Sequence, residues 1–264
     1  EDVVTVDKVR ALRATLDYAD LDVREGDALP PAWHWIFTNP IAPAAALGRD
    51  GHPAKGGFLP PVPLPRRMWA GSRLEFRAPI KVGERITRRS EIAAIAPKTG
   101  ASGPLVFVTV RHTVTASGGG EVIDLQDIVY REDPKPDAPA AKAEPPPAGA
   151  ELSRRLTPDS TMLFRYSALT FNGHRIHYDL DYARNVEGYA GLVVHGPILA
   201  TLMIELVCTG RPDVRIAGFQ FAGRRPVTTP MAIEVCAKRD DKGFATWVVA
   251  DGAVASAGRV LVAT

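Results

Sequence analysis

The sequence predicts an α+β fold of two related halves, each an antiparallel sheet wrapping a central helix, with the N-terminal copy degenerate. Three features lead there. A proline-rich break lies in the middle of the chain. The order of strand-like segments repeats on either side of it. A long apolar helix is written into the second half alone.

The break spans residues 134–150, with six prolines and no large apolar side chain. Proline removes backbone donors and fixes φ, so this segment suits neither a sheet interior nor a helix. It reads as a surface linker between an N-terminal unit, 1–133, and a C-terminal unit, 151–264. In the first unit, an alternating run over 72–86 turns near Val82-Gly83 and continues as a second strand over 86–95. A pair over 105–114 and 122–130 follows, joined at Gly118-Gly119-Gly120. The second unit repeats that order: 216–227, a turn near Thr229-Pro230, 232–238, then 244–250 and 259–263. Period-2 alternation bounded by glycine turns marks antiparallel strands, and its recurrence marks a duplication.

The central helix of the second unit covers 198–209. Gly196-Pro197 opens it and Gly210 stops it, as proline suits a first turn and glycine an end. Its apolar positions 198, 199, 202, 203, 206 and 207 form a stripe wide enough to be largely buried. The corresponding stretch of the first unit reads Pro60-Pro61-Val62-Pro63-Leu64-Pro65 and cannot be a helix; a separate helical signal covers 6–18. The expectation is a copy that lost its helix and opened a groove.

Composition narrows the function. With 45% hydrophobic and 23% charged residues the chain has material for a sizeable core. Thirty-two basic residues against 30 acidic ones give +2, too balanced for nucleic-acid binding as the main task. Cys208 and Cys236 make no disulfide framework and are expected to be reduced. No Cys/His spacing suggests a metal, and no cofactor is expected. No apolar run reaches the length of a membrane span. The N-terminal residues show no signal-peptide pattern, so the expected location is cytoplasmic.

Chemistry concentrates in 166–179. His174, His177 and His195 are half of the six histidines, within 22 residues of one another. Imidazole titrates near neutrality and suits proton transfer. The run Thr170-Phe171-Asn172-Gly173-His174-Arg175-Ile176-His177-Tyr178-Asp179 resembles the motif of MaoC-like (R)-specific hydratases, roughly Gly-Asp-x-Asn-Pro-(Leu/Ile)-His-x-Asp. Gly191-Leu192-Val193-Val194-His195-Gly196 resembles the family's helix start, and Phe219-Gln220-Phe221-Ala222-Gly223-Arg224-Arg225-Pro226 the strand that follows. In the first unit Trp33-His34-Trp35, 56–61 and 64–71 are similar to the double hot-dog branch acting on mesaconyl-C4-CoA or itaconyl-CoA; mitochondrial hydroxyacyl-thioester dehydratases are near relatives.

The resemblance implies a double hot-dog fold and reversible hydration of an enoyl-CoA, with a C5 dicarboxylic acyl-CoA as substrate and a homo-oligomer, a dimer, as the assembly. It implies that His177 takes the proton of water while Asn172, at the place of the family's Asp, orients that water. An amide accepts and donates hydrogen bonds but takes no proton. The Gly196 N–H, at a helix start, suits the developing thioester oxyanion. Arg66, Arg67, Arg224 and Arg225 are candidates for CoA phosphates or a substrate carboxylate, and His174 and His195 flank the site. Blander roles compete: Asn172-Gly173 as a turn, His195 as a helix cap, Tyr166 and Trp69 as groove wall. The alternative functions are an acyl-CoA thioesterase, for which Asp179 is the nearest carboxylate, and a non-catalytic acyl-CoA-binding protein.

Overall fold

The computed structural model describes residues 1–100, 103–133 and 143–263. Most of the expected linker, 134–142, lies outside the described residues; its last part, 143–150, is exposed throughout.

The chain folds through β1 (Asp2–Val3), α1 (Val6–Thr15), β2 (Arg66–Ala78), β3 (Arg85–Gly100), β4 (Gly103–Ala116) and β5 (Glu121–Arg131). The second half adds β6 (Leu152–Leu156), α2 (Ser160–Thr170), α3 (Gly196–Gly210), β7 (Ile216–Gly223), β8 (Ile233–Asp240), β9 (Gly243–Ala250) and β10 (Ala253–Val262). The sheet order is β1-β3-β4-β5-β2-β7-β10-β9-β8-β6. The two sheets expected from the sequence are therefore joined edge to edge into one. The junction is the antiparallel pairing of β2 with β7, from Gly71 opposite Ala222 to Glu75 opposite Gly218. Glycine is required there on sterics: a Cβ on Gly71 would run into the Phe221 carbonyl, and one on Gly218 would stand 2.8 Å from the Leu74 carbonyl.

α3 is the helix that the apolar stripe predicts. Every residue from Ile198 to Glu205 is buried, against β6 through β10. Phe219, Val235, Phe244, Val248 and Val260 face it from the strands. Each such fully buried side chain contributes roughly 1.5–3 kcal/mol of burial. Glu205 is the charged residue of that run, and the Tyr18 hydroxyl donates to it at 2.7 Å.

On the N-terminal sheet no helix takes the corresponding place among the described residues. The extended strip over 59–64 packs Leu59, Val62 and Leu64 on Val106, Val108, Val110, Ile128 and Tyr130, covering β4 and β5. Strand period 2 puts the even-numbered β4 residues on one face, so Val114 of the same row meets the main core instead. That core is closed by Val9 and Leu12 of α1 and by Trp33, Ile36 and Phe37 around a short helical turn. Between α1 and β2 some fifty residues thus run as turns and strips, and one of those turns reaches the other half.

Candidate active site

α2 starts on Asp159, whose carboxylate accepts the Met162 N–H at 2.8 Å, a standard helix cap. It ends at Phe171, in the left-handed region at φ +49°, and the Asn172 N–H folds back onto the Ser167 carbonyl at 2.8 Å. The Asn172 Oδ1 accepts the His174 N–H at 3.0 Å. That asparagine therefore shapes the turn which presents His174. A short helical turn, Arg175–His177, then buries Ile176 and His177.

His177 is fixed from two sides. Its Nδ1 lies 2.7 Å from the Val193 carbonyl oxygen. A carbonyl only accepts, so Nδ1 carries the proton and Nε2 holds the lone pair. Its ring stacks on His195, with centroids 3.5 Å apart at 17°. His195 is the residue from which α3 starts, and its Nε2 meets the Ser167 hydroxyl at 2.9 Å. The imidazole expected to act and the helix start expected to bind charge are therefore adjacent. Burial, followed by the neighbouring His174, pushes the His177 imidazole down to about 3, against the opposing Val193 carbonyl. Burial likewise depresses His195, well below its ordinary value. At neutral pH both rings are uncharged. His177 is thus a buried neutral imidazole with its basic nitrogen defined, the form a general base needs.

The sequence singled out three histidines here, and the structure brings a fourth. His52 lies in the turn Gly48–Pro53, and its ring centroid is 4.2 Å from that of His174. His174 in turn meets His177 edge-on at 5.4 Å. The His52 Nδ1 lies 3.3 Å from Asp50 Oδ2, and Asp50 Oδ1 accepts the His52 N–H at 3.0 Å. The turn is pinned to the 173–175 segment by the Arg175 N–H on the Asp50 carbonyl at 2.9 Å. It is also pinned by a backbone approach so close that a Cβ on Gly51, at φ +85°, would run into the Gly173 carbonyl. Burial pushes the His174 imidazole down to about 3, with His52 the next cause. Burial raises Asp50, but His52 and then Arg67 outweigh it and hold the carboxyl well below its usual range.

Asp50, His52 and His174 bring their ligand atoms within 4.8 Å of one another. Asp50 Oδ2 is already shared between His52 and the Arg67 guanidinium, whose Nε is 3.7 Å away. A fixed cation on the same oxygen opposes a bound metal ion, so the cluster reads as a charge and hydrogen-bond network.

The four candidate arginines separate. Arg66 is buried against Glu187 at 2.6 Å and donates to the Tyr189 hydroxyl at 2.9 Å; Glu187 also accepts from the Tyr182 hydroxyl at 3.0 Å. Arg66 is thus committed to holding the 182–189 segment against β2. Arg67 stands beside Asp50 and donates to the Pro53 carbonyl at 2.7 Å. Arg224 is exposed, with no ion-pair partner among the described residues, and Arg225 reaches only Asp251, at 3.9 Å. Both follow β7, just before Val227, whose carbonyl takes the Val194 N–H next to His195. A Cβ on Gly196 would stand 3.1 Å from the Trp69 ring, so glycine is needed for that ring to pack on the helix start. Asp179 is taken up by Arg175 at 2.7 Å and by the Tyr182 N–H at 2.9 Å. A cleft of about 450 Å³ between α1 and α2 is lined by residues such as Lys8, Phe164 and Leu169, away from the histidines.

The profile of the hydroxyacyl-thioester dehydratase type 2 family matches residues 32–229. The chain is 44% identical over 229 residues to mesaconyl-C(4)-CoA hydratase of Chloroflexus aurantiacus, covering 86% of this chain and 81% of that protein. It is 26% identical to the mitochondrial hydroxyacyl-thioester dehydratase type 2 of Schizosaccharomyces pombe, over 79% of this chain and 77% of the relative. Among solved structures, a MaoC-like dehydratase from Phytophthora capsici superposes with a TM-score of 0.69 over 98% of this chain and 93% of that one, at 13% identity. HtdX from Mycobacterium tuberculosis gives 0.65 over 99% and 98%, at 14%. At such identities these two speak for the fold.

Proposed function

The chain belongs to the hydroxyacyl-thioester dehydratase type 2 family, and from that premise we propose that it adds water reversibly to an enoyl-CoA, with a C5 dicarboxylic thioester of the mesaconyl-C4-CoA or itaconyl-CoA type as substrate. The observation that carries this reading is the fixed tautomer of His177. Its Nε2 takes a proton from water as the water oxygen bonds to the β-carbon. Asn172, with its Oδ1 engaged on the His174 N–H, has its amide NH₂ left to hold that water. Negative charge that develops on the thioester oxygen is met by the Gly196 N–H at the start of α3, where the helix dipole adds to the hydrogen bond. Arg67, whose contact with Asp50 is the looser at 3.7 Å, supplies the cation for the free carboxylate, whereas Arg66 is held by Glu187 at 2.6 Å. Arg224 and Arg225, which follow β7 with Arg224 exposed, are the candidates for the CoA phosphates.

We read the N-terminal half as a hot-dog copy whose central helix has been replaced by the 59–64 strip. The protein acts without a cofactor, as a cytoplasmic homodimer; no described helix is long and apolar enough to cross a membrane. The thioesterase alternative loses Asp179 to its ion pair with Arg175.

Loss of the enoyl absorbance, followed beside free-thiol release on crotonyl-, mesaconyl- and itaconyl-CoA, separates hydration from hydrolysis. His177→Ala is expected to lower kcat by at least about a hundredfold in a folded protein, the usual worth of general acid–base help. Thiol release without enoyl loss, or wild-type turnover in His177→Ala, refutes the reading.

A further inference from the structure

Hydration needs two proton transfers, one from water and one to the α-carbon, and position 172 offers an amide in place of a carboxylate. His177 accounts for the first transfer. A second pair stands on the same column of rings, delivered from the other half of the chain. We infer that His52 is the acid that protonates the α-carbon and that Asp50 is its positioning residue, so the N-terminal half supplies half of the proton chemistry.

This rests on the hydratase reading above. Four observations support it. Asp50 and His52 form a carboxylate–imidazole pair at 3.3 Å, the arrangement that fixes an imidazole's orientation and stabilises its charged form. His52 is stacked 4.2 Å from His174, which meets the edge of His177, so the pair belongs to the same cluster as the base. The turn carrying them is held against the segment that carries His177 by the Arg175 N–H and the Gly51–Gly173 approach, and against β2 by Arg67 on the Pro53 carbonyl. The His52 side chain is 29% exposed, so it opens toward solvent where a substrate can reach it.

The transfers balance. His52 begins with a proton on each ring nitrogen, Nδ1–H toward Asp50. As the water oxygen bonds to the β-carbon, His177 Nε2 takes the water proton, and the α-carbon takes the Nε2 proton of His52. His177 is left charged and His52 neutral. Once the product has left, His177 gives its proton to solvent and His52 takes one up, which restores both rings to their starting states. Burial, which depresses the His177 imidazole, favours that release. Dehydration runs the same steps backwards.

The test uses the full chain with His52→Ala, His52→Gln, Asp50→Asn and Asp50→Glu, each checked for folding by its melting transition. The readouts are kcat and KM for enoyl-CoA hydration, with and without added imidazole. His52→Ala and His52→Gln are expected to lose on the order of a hundredfold in kcat with KM little changed. Imidazole in the buffer is expected to restore about tenfold of that loss in His52→Ala, and none in His52→Gln, which leaves no space. Asp50→Glu is expected to keep more kcat than Asp50→Asn. Wild-type kcat in a folded His52 variant overturns the inference while leaving the hydratase reading intact. So does a loss that imidazole fails to restore, because a merely structural histidine behaves that way. A wild-type protein inactive on every enoyl-CoA overturns the reading itself.

Discussion

The two halves of the molecule solve the same packing problem differently. The C-terminal half closes its strands over a fifteen-residue helix buried along most of its length. The N-terminal half covers β4 and β5 with an extended proline-rich strip and fills the rest with α1 and the Trp33–Phe37 turn. A helix fixes every residue of its segment by backbone hydrogen bonds, so α3 can offer only its two ends to a ligand. A strip and its turns carry no such constraint. The half without the central helix can therefore send a turn across the molecule, and that turn brings Asp50, His52 and, through Pro53, Arg67 toward His174. One half is the scaffold and holds His177, the proposed base; the other reaches over and contributes charge.

That division breaks first at the join between the halves. Arg66 starts β2, Glu187 sits in the C-terminal half, and both side chains are about nine-tenths buried. Arg66→Met leaves the buried Glu187 carboxylate with the Tyr182 hydroxyl but no cation, and removing one partner of a buried pair costs about 3–5 kcal/mol. The expected outcome is a large fall in the denaturant midpoint. An unchanged midpoint makes the join unimportant to stability and the halves independent.

Acid tests whether both halves depend on neutral imidazoles. His34 in the first half and His177 in the second are each pushed down to about 3, in both cases chiefly by burial. The unfolded chain takes up protons near the ordinary value of about 6.5. Between those limits the unfolded state binds more protons, so stability is full above about 6.5 and falls as pH falls toward 3. Each such ring contributes about 1.4 kcal/mol per pH unit in that window. Burial raises Asp124 and Glu205, which works the other way, but His174 and His195 add to the loss. Denaturant titrations at pH 7, 6 and 5 are expected to show a steady decline. Constant stability over that range means that the rings are hydrated in solution.

How much of this the sequence disclosed follows from the range of the contacts. The strand runs, the glycine turns and α3 are local patterns of period 2 or 3.6, and most lie close to where the periodicity puts them; β10 is the correction, beginning at Ala253 and not at 259, because the small residues of 253–258 carry no alternation of size. α2 has no signature in the apolar pattern, because only Leu163 and Tyr166 of its eleven residues are buried while Phe164 is exposed. Its cap, Pro158-Asp159, was the readable signal. The β2–β7 join is legible only as glycines at 71 and 218. His177, His174 and His195 stand close in sequence and close in space. His52 meets His174 across more than a hundred residues, and a histidine between glycine and proline reads as an ordinary turn. The sequence already says that Asn172 stands where the family has a carboxylate; only the fold brings Asp50 to the neighbouring segment.

The adjacent arginines of β2 sharpen the comparison most finely, because neighbours in a strand point to opposite faces. Arg66 turns toward Glu187 and serves the fold; Arg67 turns toward Asp50 and the histidines. Arg67→Met should lower the midpoint less than Arg66→Met, since its contact with Asp50 is 3.7 Å against 2.6 Å for Arg66 with Glu187. Its effect is expected in specificity. A cation that binds a free carboxylate contributes to KM for mesaconyl-C4-CoA and nothing for crotonyl-CoA, which has no such group. We expect KM for the dicarboxylic substrate to rise about tenfold, or about 1.4 kcal/mol, with crotonyl-CoA hydration unaltered. An equal rise for both substrates places Arg67 with CoA or with Asp50 alone, and the free carboxylate must then find its cation elsewhere.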